Sequence, residues 1–235
     1  MKVLVGSAKT PKSGVAESGD TMELVERRKG GVSIIMADGQ GSGPAAKRIS
    51  AMVVGRTMSL IGEGVRDGAA ARAAHDFLFA FRDGKVSCEL TIISADIRAK
   101  MLVVSRNSNV PVVIRSPRGG VSVLAEKAEP IGVSEVMKPS ITQFRLEPGL
   151  IALAMTDGVT EAGSRTGQRV DMDAIMRLVK DADASRPQLL ADRVLSLGAE
   201  ADGGYLLDDM CAVVMSVAPL ETSFKVRRLT VEFPV

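Results

Sequence analysis

The sequence predicts an α+β protein, and three observations carry that reading. Strand-like runs crowd the middle of the chain between Cys88 and Met155, two pairs of helical patterns flank that block, and an apolar strand pattern returns after the second pair. Strands gathered between groups of helices, rather than alternating with them one by one, mark that class.

The elements follow in order. Residues 2–5, 22–27 and 32–37 read as strands, the last two joined by the Lys29-Gly30-Gly31 turn. A helix is predicted over 44–63, with Pro44 in its first turn and an apolar stripe of Ile49, Met52, Val53, Met58 and Leu60. An Ala-rich helix over 69–82 ends at Asp83-Gly84. Strands are predicted at 89–94, 100–105, 111–115, 121–125, 141–146 and 150–155, and short turns at 96–99 and 116–120 suggest an antiparallel meander. Helices at 171–180 and 186–198 precede a last strand at 210–217. After Pro219 the alternation of Phe224, Val226, Leu229, Val231 and Phe233 predicts an added edge strand, with dimerisation or partner docking as the other reading.

Composition narrows the class of molecule. A chain of 235 residues can bury one large core, and no Pro/Ser-rich linker divides it, so one domain over 1–218 with an extension at 219–235 is expected. The formal charge is +2, basic residues cluster only briefly, as at Lys225-Arg227-Arg228, and aromatic residues make up 3% with no Trp, which argues against a nucleic-acid partner. Cys88 and Cys211 both lie in apolar strand-like sequence and read as buried, reduced thiols. The N-terminal Val3-Leu4-Val5 is too short for a signal peptide, and no apolar run approaches the ~20 residues of a membrane span. A cytoplasmic protein without membrane association is expected.

Three acidic segments carry the chemistry: 32–43 (VSIIMADGQGSG), 150–158 (LIALAMTDG) and 206–217 (LLDDMCAVVMSV). Each sets Asp at one end of an apolar run, which aims carboxylates from distant parts of the chain at a common sheet edge. Hard divalent cations take such oxygen ligands. Asp-Gly occurs five times and is an ordinary turn signal, so Asp67-Gly68, Asp83-Gly84 and Asp202-Gly203 serve as internal controls and read as solvated turns. Asp38 and Asp157 differ, because near-continuous apolar runs behind them read as strands buried on both faces. An ionised carboxylate at the mouth of such a strand is costly unless a positive charge meets it.

The ordered set Ser18-Gly19-Asp20, Ala37-Asp38-Gly39-Gln40-Gly41-Ser42-Gly43, Thr156-Asp157-Gly158-Val159-Thr160-Glu161-Ala162 and Asp208-Asp209-Met210 resembles the metal-dependent protein phosphatases. Within them it is most similar to the bacterial stage II sporulation protein E branch, a likeness strengthened by 106–114 (RNSNVPVVI) and by Glu129-Pro130-Ile131-Gly132-Val133, and covering about residues 1–218. Gln40 departs from the family, which carries an apolar residue there. No Arg stands near the first motif to match the one that eukaryotic members use for phosphate.

The resemblance implies a four-layer αββα sandwich, two antiparallel sheets face to face with helices on both outer sides. It also implies two Mn²⁺ or Mg²⁺ ions held by Asp20, Asp38, the Gly39 carbonyl, Asp157 and Asp208. Asp38 would bridge the ions, and Asp38, Asp157 and Asp208 would act through metal-bound water that attacks phosphorus. Asp209 competes with Asp208 but aligns with a position that orients a neighbouring ligand. The absence of His and Cys from the motifs favours Mn²⁺ or Mg²⁺ over zinc. The implied substrate is a phosphoserine or phosphothreonine protein, an anti-sigma-factor antagonist or a related stress-signalling protein, and the first motif's early position leaves no sensor domain expected ahead of it. The rival readings are a metal-binding regulatory domain without turnover and a small-molecule phosphoesterase. His75, the sole histidine, reads as structural rather than as a general acid. Cys88 lacks the Arg-rich loop of a thiol phosphatase. Lys47 reads as part of a solvated face, with phosphate binding as the lesser reading. Gly41 and Gly43 allow the tight strand-to-helix turn.

Overall fold

Strands that are buried on both faces need a packed layer on each side, and the continuous apolar runs of this chain acquire both. In the computed structural model, which describes residues 1–165, 167–221 and 226–232, two five-stranded antiparallel sheets pack face to face. The first sheet, in order β1-β10-β9-β6-β7, comprises β1 (Lys2–Thr10), β10 (Met210–Ala218), β9 (Ile151–Met155), β6 (Val112–Arg115) and β7 (Val121–Leu124). The second, β2-β3-β4-β5-β8, comprises β2 (Asp20–Glu26), β3 (Gly31–Gly39), β4 (Cys88–Asp96), β5 (Met101–Asn107) and β8 (Ser140–Arg145).

The period-two geometry of a strand explains how three cores arise from two sheets. Along β3, Ile34 and Met36 enter the core between the sheets with Ile93, Val104, Ala154 and Val213. Ile35 and Ala37, one step along, point the other way, into a core with Ile49 and Val53 of α1 (Gly43–Glu63) and Ala74 and Leu78 of α2 (Asp67–Arg82). On the far side, Leu153 and Val214 pack against Ile175 of α4 (Met172–Asp181) and Leu190 and Val194 of α5 (Pro187–Ala201). The four-layer αββα sandwich follows. A short turn of helix, α3 (Asp157–Thr160), leaves the end of β9.

Three expectations change. The block between Cys88 and Met155 is not one meander: β4, β5 and β8 stay in the second sheet, while the β6–β7 hairpin crosses to the first and pairs with β9. Asp67 is no solvated turn; it is buried at the start of α2, accepts hydrogen bonds from Arg27 Nη1 and Ser94 Oγ at 2.7 Å each, and forms with Arg27 an almost fully enclosed ion pair. The edge strand expected after Pro219 is not formed in the described tail, where 226–232 run exposed without strand pairing and Arg227 meets Glu26. Phe224 and Phe233 lie outside the described residues. No helix among the described residues is long and apolar enough to cross a membrane.

The two Asp-Gly pairs at the ends of α2 give a direct test. Asp67→Ala strands the Arg27 guanidinium in a buried setting and should lower unfolding stability by about 3–5 kcal/mol. Asp83→Asn, at an exposed left-handed cap position, should stay within about 0.5 kcal/mol of the parent. Urea denaturation of both variants checks the contrast, and equal midpoints would remove the Arg27–Asp67 pair from the forces that hold α2 to the sheet.

Candidate metal centre

Antiparallel register builds the first half of the site. Asp20 at the start of β2 stands opposite Asp38 near the end of β3, and Asp38 stands opposite Glu89 near the start of β4. Residues directly opposite one another project to the same face with Cβ atoms about 4.5–5.5 Å apart. Three carboxylates thus form a row across three neighbouring strands. Met36, two residues before Asp38, lies in the core between the sheets, so the row faces the opposing sheet at the open end of that core.

The opposing sheet supplies the second half. Asp157 leaves the end of β9, and Asp208 and Asp209 immediately precede β10. Thr156 ties these segments together: its N–H donates to the Cys211 carbonyl at 3.0 Å, and its hydroxyl accepts from the Cys211 N–H at 2.9 Å. The same hydroxyl donates to Asp20 Oδ2 at 2.9 Å across the gap between the sheets. Two glycines permit the close approach. A Cβ on Gly39 would fall 2.3 Å from the Ala46 carbonyl oxygen of α1, and one on Gly158 would fall 2.0 Å from the Asp209 carbonyl oxygen.

Asp208 and Asp209 have different work. Asp209 is buried, and its two oxygens accept from the backbone N–H groups of Lys12 at 2.9 Å and Gly19 at 2.7 Å, clamping the loop that delivers Asp20. Asp208 sits at the surface, with Oδ1 taking the Asp209 N–H at 2.9 Å.

Burial leads the electrostatics of this cluster, and like charge adds to it. Burial, then the charges of Asp20, Asp157 and Glu89, push the Asp38 carboxyl up to about 9. Burial raises Asp20 to about 8 against the opposing Thr156 hydrogen bond, with Asp209 and Asp157 adding to the rise. Asp157 and Asp208 are also raised, chiefly by burial. Lys9 and Lys47 answer part of this charge by donating to the Asp20 carbonyl oxygen at 3.2 and 3.0 Å, and Lys47 also donates to Thr21 Oγ1 at 2.9 Å. Lys47 is therefore anchored at the site rather than spread over a solvated face. Burial and the nearby Lys9 lower its pKa.

This donor set fits hard divalent cations, being oxygen throughout and short of positive charge. Among the described residues no three acidic, thiol or imidazole side chains stand close enough together to hold a metal ion as they are placed.

The remaining candidates resolve on burial. His75 is buried and its Nδ1 accepts from the Gly132 N–H at 3.1 Å, which makes it structural. Cys88 and Cys211 are free and buried. Gln40 packs its loop by accepting the Ser87 N–H at 2.9 Å. Asp202 is a correction: far from solvated, it is buried and accepts from the Gly163 N–H at 2.7 Å and the Leu207 N–H at 2.9 Å. Glu89 was missed, since it carries no motif signal and only sheet register brings it to the mouth, and Thr156, though inside a motif, was assigned no role.

The family model of stage II sporulation protein E (SpoIIE) matches residues 28–218. A search of curated protein sequences returns no match. Among solved structures, the PP2C phosphatase domain with a regulatory-domain fragment of SpoIIE from Bacillus subtilis superposes with TM-score 0.77 at 22% identity, covering 92% of this chain and 63% of that one. The RsbU and RsbW domains of a Mycobacterium tuberculosis protein give 0.73 at 18% identity over 93% of this chain and 61% of that one. RsbX in complex with magnesium gives 0.72 at 14% identity over 92% and 96%. The chain thus spans under two thirds of the first two of these proteins, and at such identities the likeness is one of fold.

Because the raised carboxyls bind protons more tightly in the folded than in the unfolded chain, their share of stability is complete below about pH 4 and is lost as pH rises toward about 8 to 9. Metal-free Asp38→Asn, which develops no charge there, should gain stability over the parent between about pH 5 and pH 8, and saturating Mn²⁺ should reverse the order. Thermal unfolding at both pH values checks this; a constant difference between the two proteins would remove charge repulsion as the cause. Asp202→Asn sets an amide N–H against a backbone N–H and should cost about 1–3 kcal/mol in urea unfolding while leaving Mn²⁺ affinity unchanged.

Proposed function

The chain belongs to the stage II sporulation protein E family of metal-dependent protein phosphatases, and on that premise we propose that it is a cytoplasmic enzyme hydrolysing phosphoserine or phosphothreonine on a protein substrate. The observation that supports this most directly is the convergence of Asp20, Asp38, Asp157 and Asp208, from four separate segments, on one open mouth between the two sheets. We assign to these four carboxylates and the Gly39 carbonyl the holding of two Mn²⁺ or Mg²⁺ ions. Ions bound there supply an acidified water and positive charge for the oxygens of a phosphoryl group.

The chain's own residues do the positioning. Thr156 fixes one Asp20 oxygen by its hydroxyl, leaving the other to turn toward a cation. Asp209 holds the 12–19 loop so that Asp20 enters the mouth at a set depth. The pairing of β2 with β3 and β4 keeps Asp38 central, where its charge meets those of both sheets.

We take the substrate to be macromolecular, as for the protein phosphatase family to which the chain belongs. A phosphorylated side chain presented from another protein needs only its phosphoryl group to reach the carboxylates. We take that protein to be an anti-sigma-factor antagonist or a related stress-signalling partner, a reading supported by the family match.

Release of phosphate from p-nitrophenyl phosphate, phosphoserine peptides and a phosphorylated antagonist, with and without Mn²⁺, tests the proposal. Turnover should vanish on chelation, return with Mn²⁺, and fall on the order of 10³-fold in Asp38→Asn. Activity that survives exhaustive chelation rules out the two-ion mechanism. Mn²⁺ binding without turnover of any substrate would make the protein a regulatory domain that acts by protein binding.

A further inference from the structure

Glu89 is the one carboxylate at the mouth that no motif announces. It stands in register with Asp38, on the face that Asp38 and Asp20 share, and it lines the same small cavity as Asp38 and Thr156. Its oxygens are already engaged: Oε2 accepts from Ser108 Oγ at 2.6 Å and Oε1 from the Asn109 N–H at 3.2 Å, both in the turn after β5. A side chain held this way cannot swing freely toward a ligand, yet its charge stays fixed beside Asp38 and Asp157.

Like charges placed directly opposite in a sheet destabilise it, and this protein sets two such pairs side by side at one end of β3. An apolar or neutral residue at position 89 would keep the strand pairing and relieve the crowding. The hydrogen bonds to Ser108 and Asn109 need no charge either, because a Gln could accept from the Asn109 N–H and donate to Ser108 Oγ. The negative charge is the part of Glu89 that the local structure does not use.

We propose that Glu89 is a positioning residue of the cation centre, which raises divalent-cation affinity at Asp38 and Asp157 through its fixed charge while its oxygens stay bonded to the β5–β6 turn. The proposal rests on the reading of the mouth as a two-ion site. Groups of this kind, which touch a ligand's surroundings and not the ion, typically change metal affinity 10–100-fold when altered.

Calorimetric titration of Mn²⁺ into the metal-free full chain tests it with three proteins: the parent, Glu89→Gln and Ser108→Ala. Glu89→Gln should bind Mn²⁺ about tenfold more weakly, with a metal-free melting temperature equal to or above that of the parent. Ser108→Ala removes a hydrogen bond but no charge, and should bind within twofold of the parent. If Glu89→Gln binds as tightly as the parent, or if Ser108→Ala weakens binding as much as Glu89→Gln does, Glu89 acts only by tying down the turn and the proposal fails. If the parent itself takes up no Mn²⁺, the two-ion reading fails first, and Glu89 with it.

Discussion

Unrelieved negative charge at one end of the sandwich is the constraint around which this structure is arranged. Asp20, Asp38 and Glu89 lie side by side across β2, β3 and β4, and Asp157 and Asp208 face them from the other sheet. Burial and mutual repulsion both favour protonation of the Asp20 and Asp38 carboxyls. Such a cluster stabilises nothing on its own. It persists because the strands beneath it are fixed by apolar contacts on both faces, which leaves their polar ends no freedom to separate.

That rigidity is built from ordinary parts. Alternate residues of β3 fill two different cores, so a slip of one position would turn Asp38 into the α1 layer and Ala37 into the mouth. Gly39 lets the first turn of α1 come down on the end of the strand, and Gly158 lets the α3 turn lie against the Asp208-Asp209 backbone. Thr156 then joins the two sheets with one hydroxyl. Each contact is short-range. Together they set the spacing of carboxylates that lie up to 188 residues apart in the chain.

How much of this was legible in the sequence depended on whether the signal was local. The runs 32–37, 150–155 and 210–217 gave strands whose ends carry Asp, and those ends do meet. The hairpin of β6 and β7 was legible as a hairpin, but its crossing to the other sheet was not, because periodicity says nothing of partners. Asp67 and Asp202 each preceded Gly and looked like turns; the Arg27 guanidinium that buries one and the N–H groups of Gly163 and Leu207 that hold the other come from distant segments. Glu89 escaped for the same reason, since a lone acid at a strand's start gains meaning only from its register with Asp38.

The second sheet meets buried charge at both ends and answers it in opposite ways. At one end Arg27 donates to Asp67, Ser33 and Ser94, with Ser33 and Ser94 bonded to each other at 2.6 Å, so each partner is supplied from within the chain. At the other end five carboxylates are offset by Lys9 and Lys47, which bind the Asp20 carbonyl rather than any carboxylate oxygen, and by Lys12 near Asp208. An internally paired charge contributes fixed structure whatever the solvent holds, whereas an unpaired one ties stability to whatever cation the solvent supplies. β3 runs from Ser33 at the closed end to Asp38 at the open one. One strand therefore couples a sealed electrostatic network, which sets the position of the sheet, to a cluster of carboxylates at its other end that the chain's own cations leave unpaired at their oxygens.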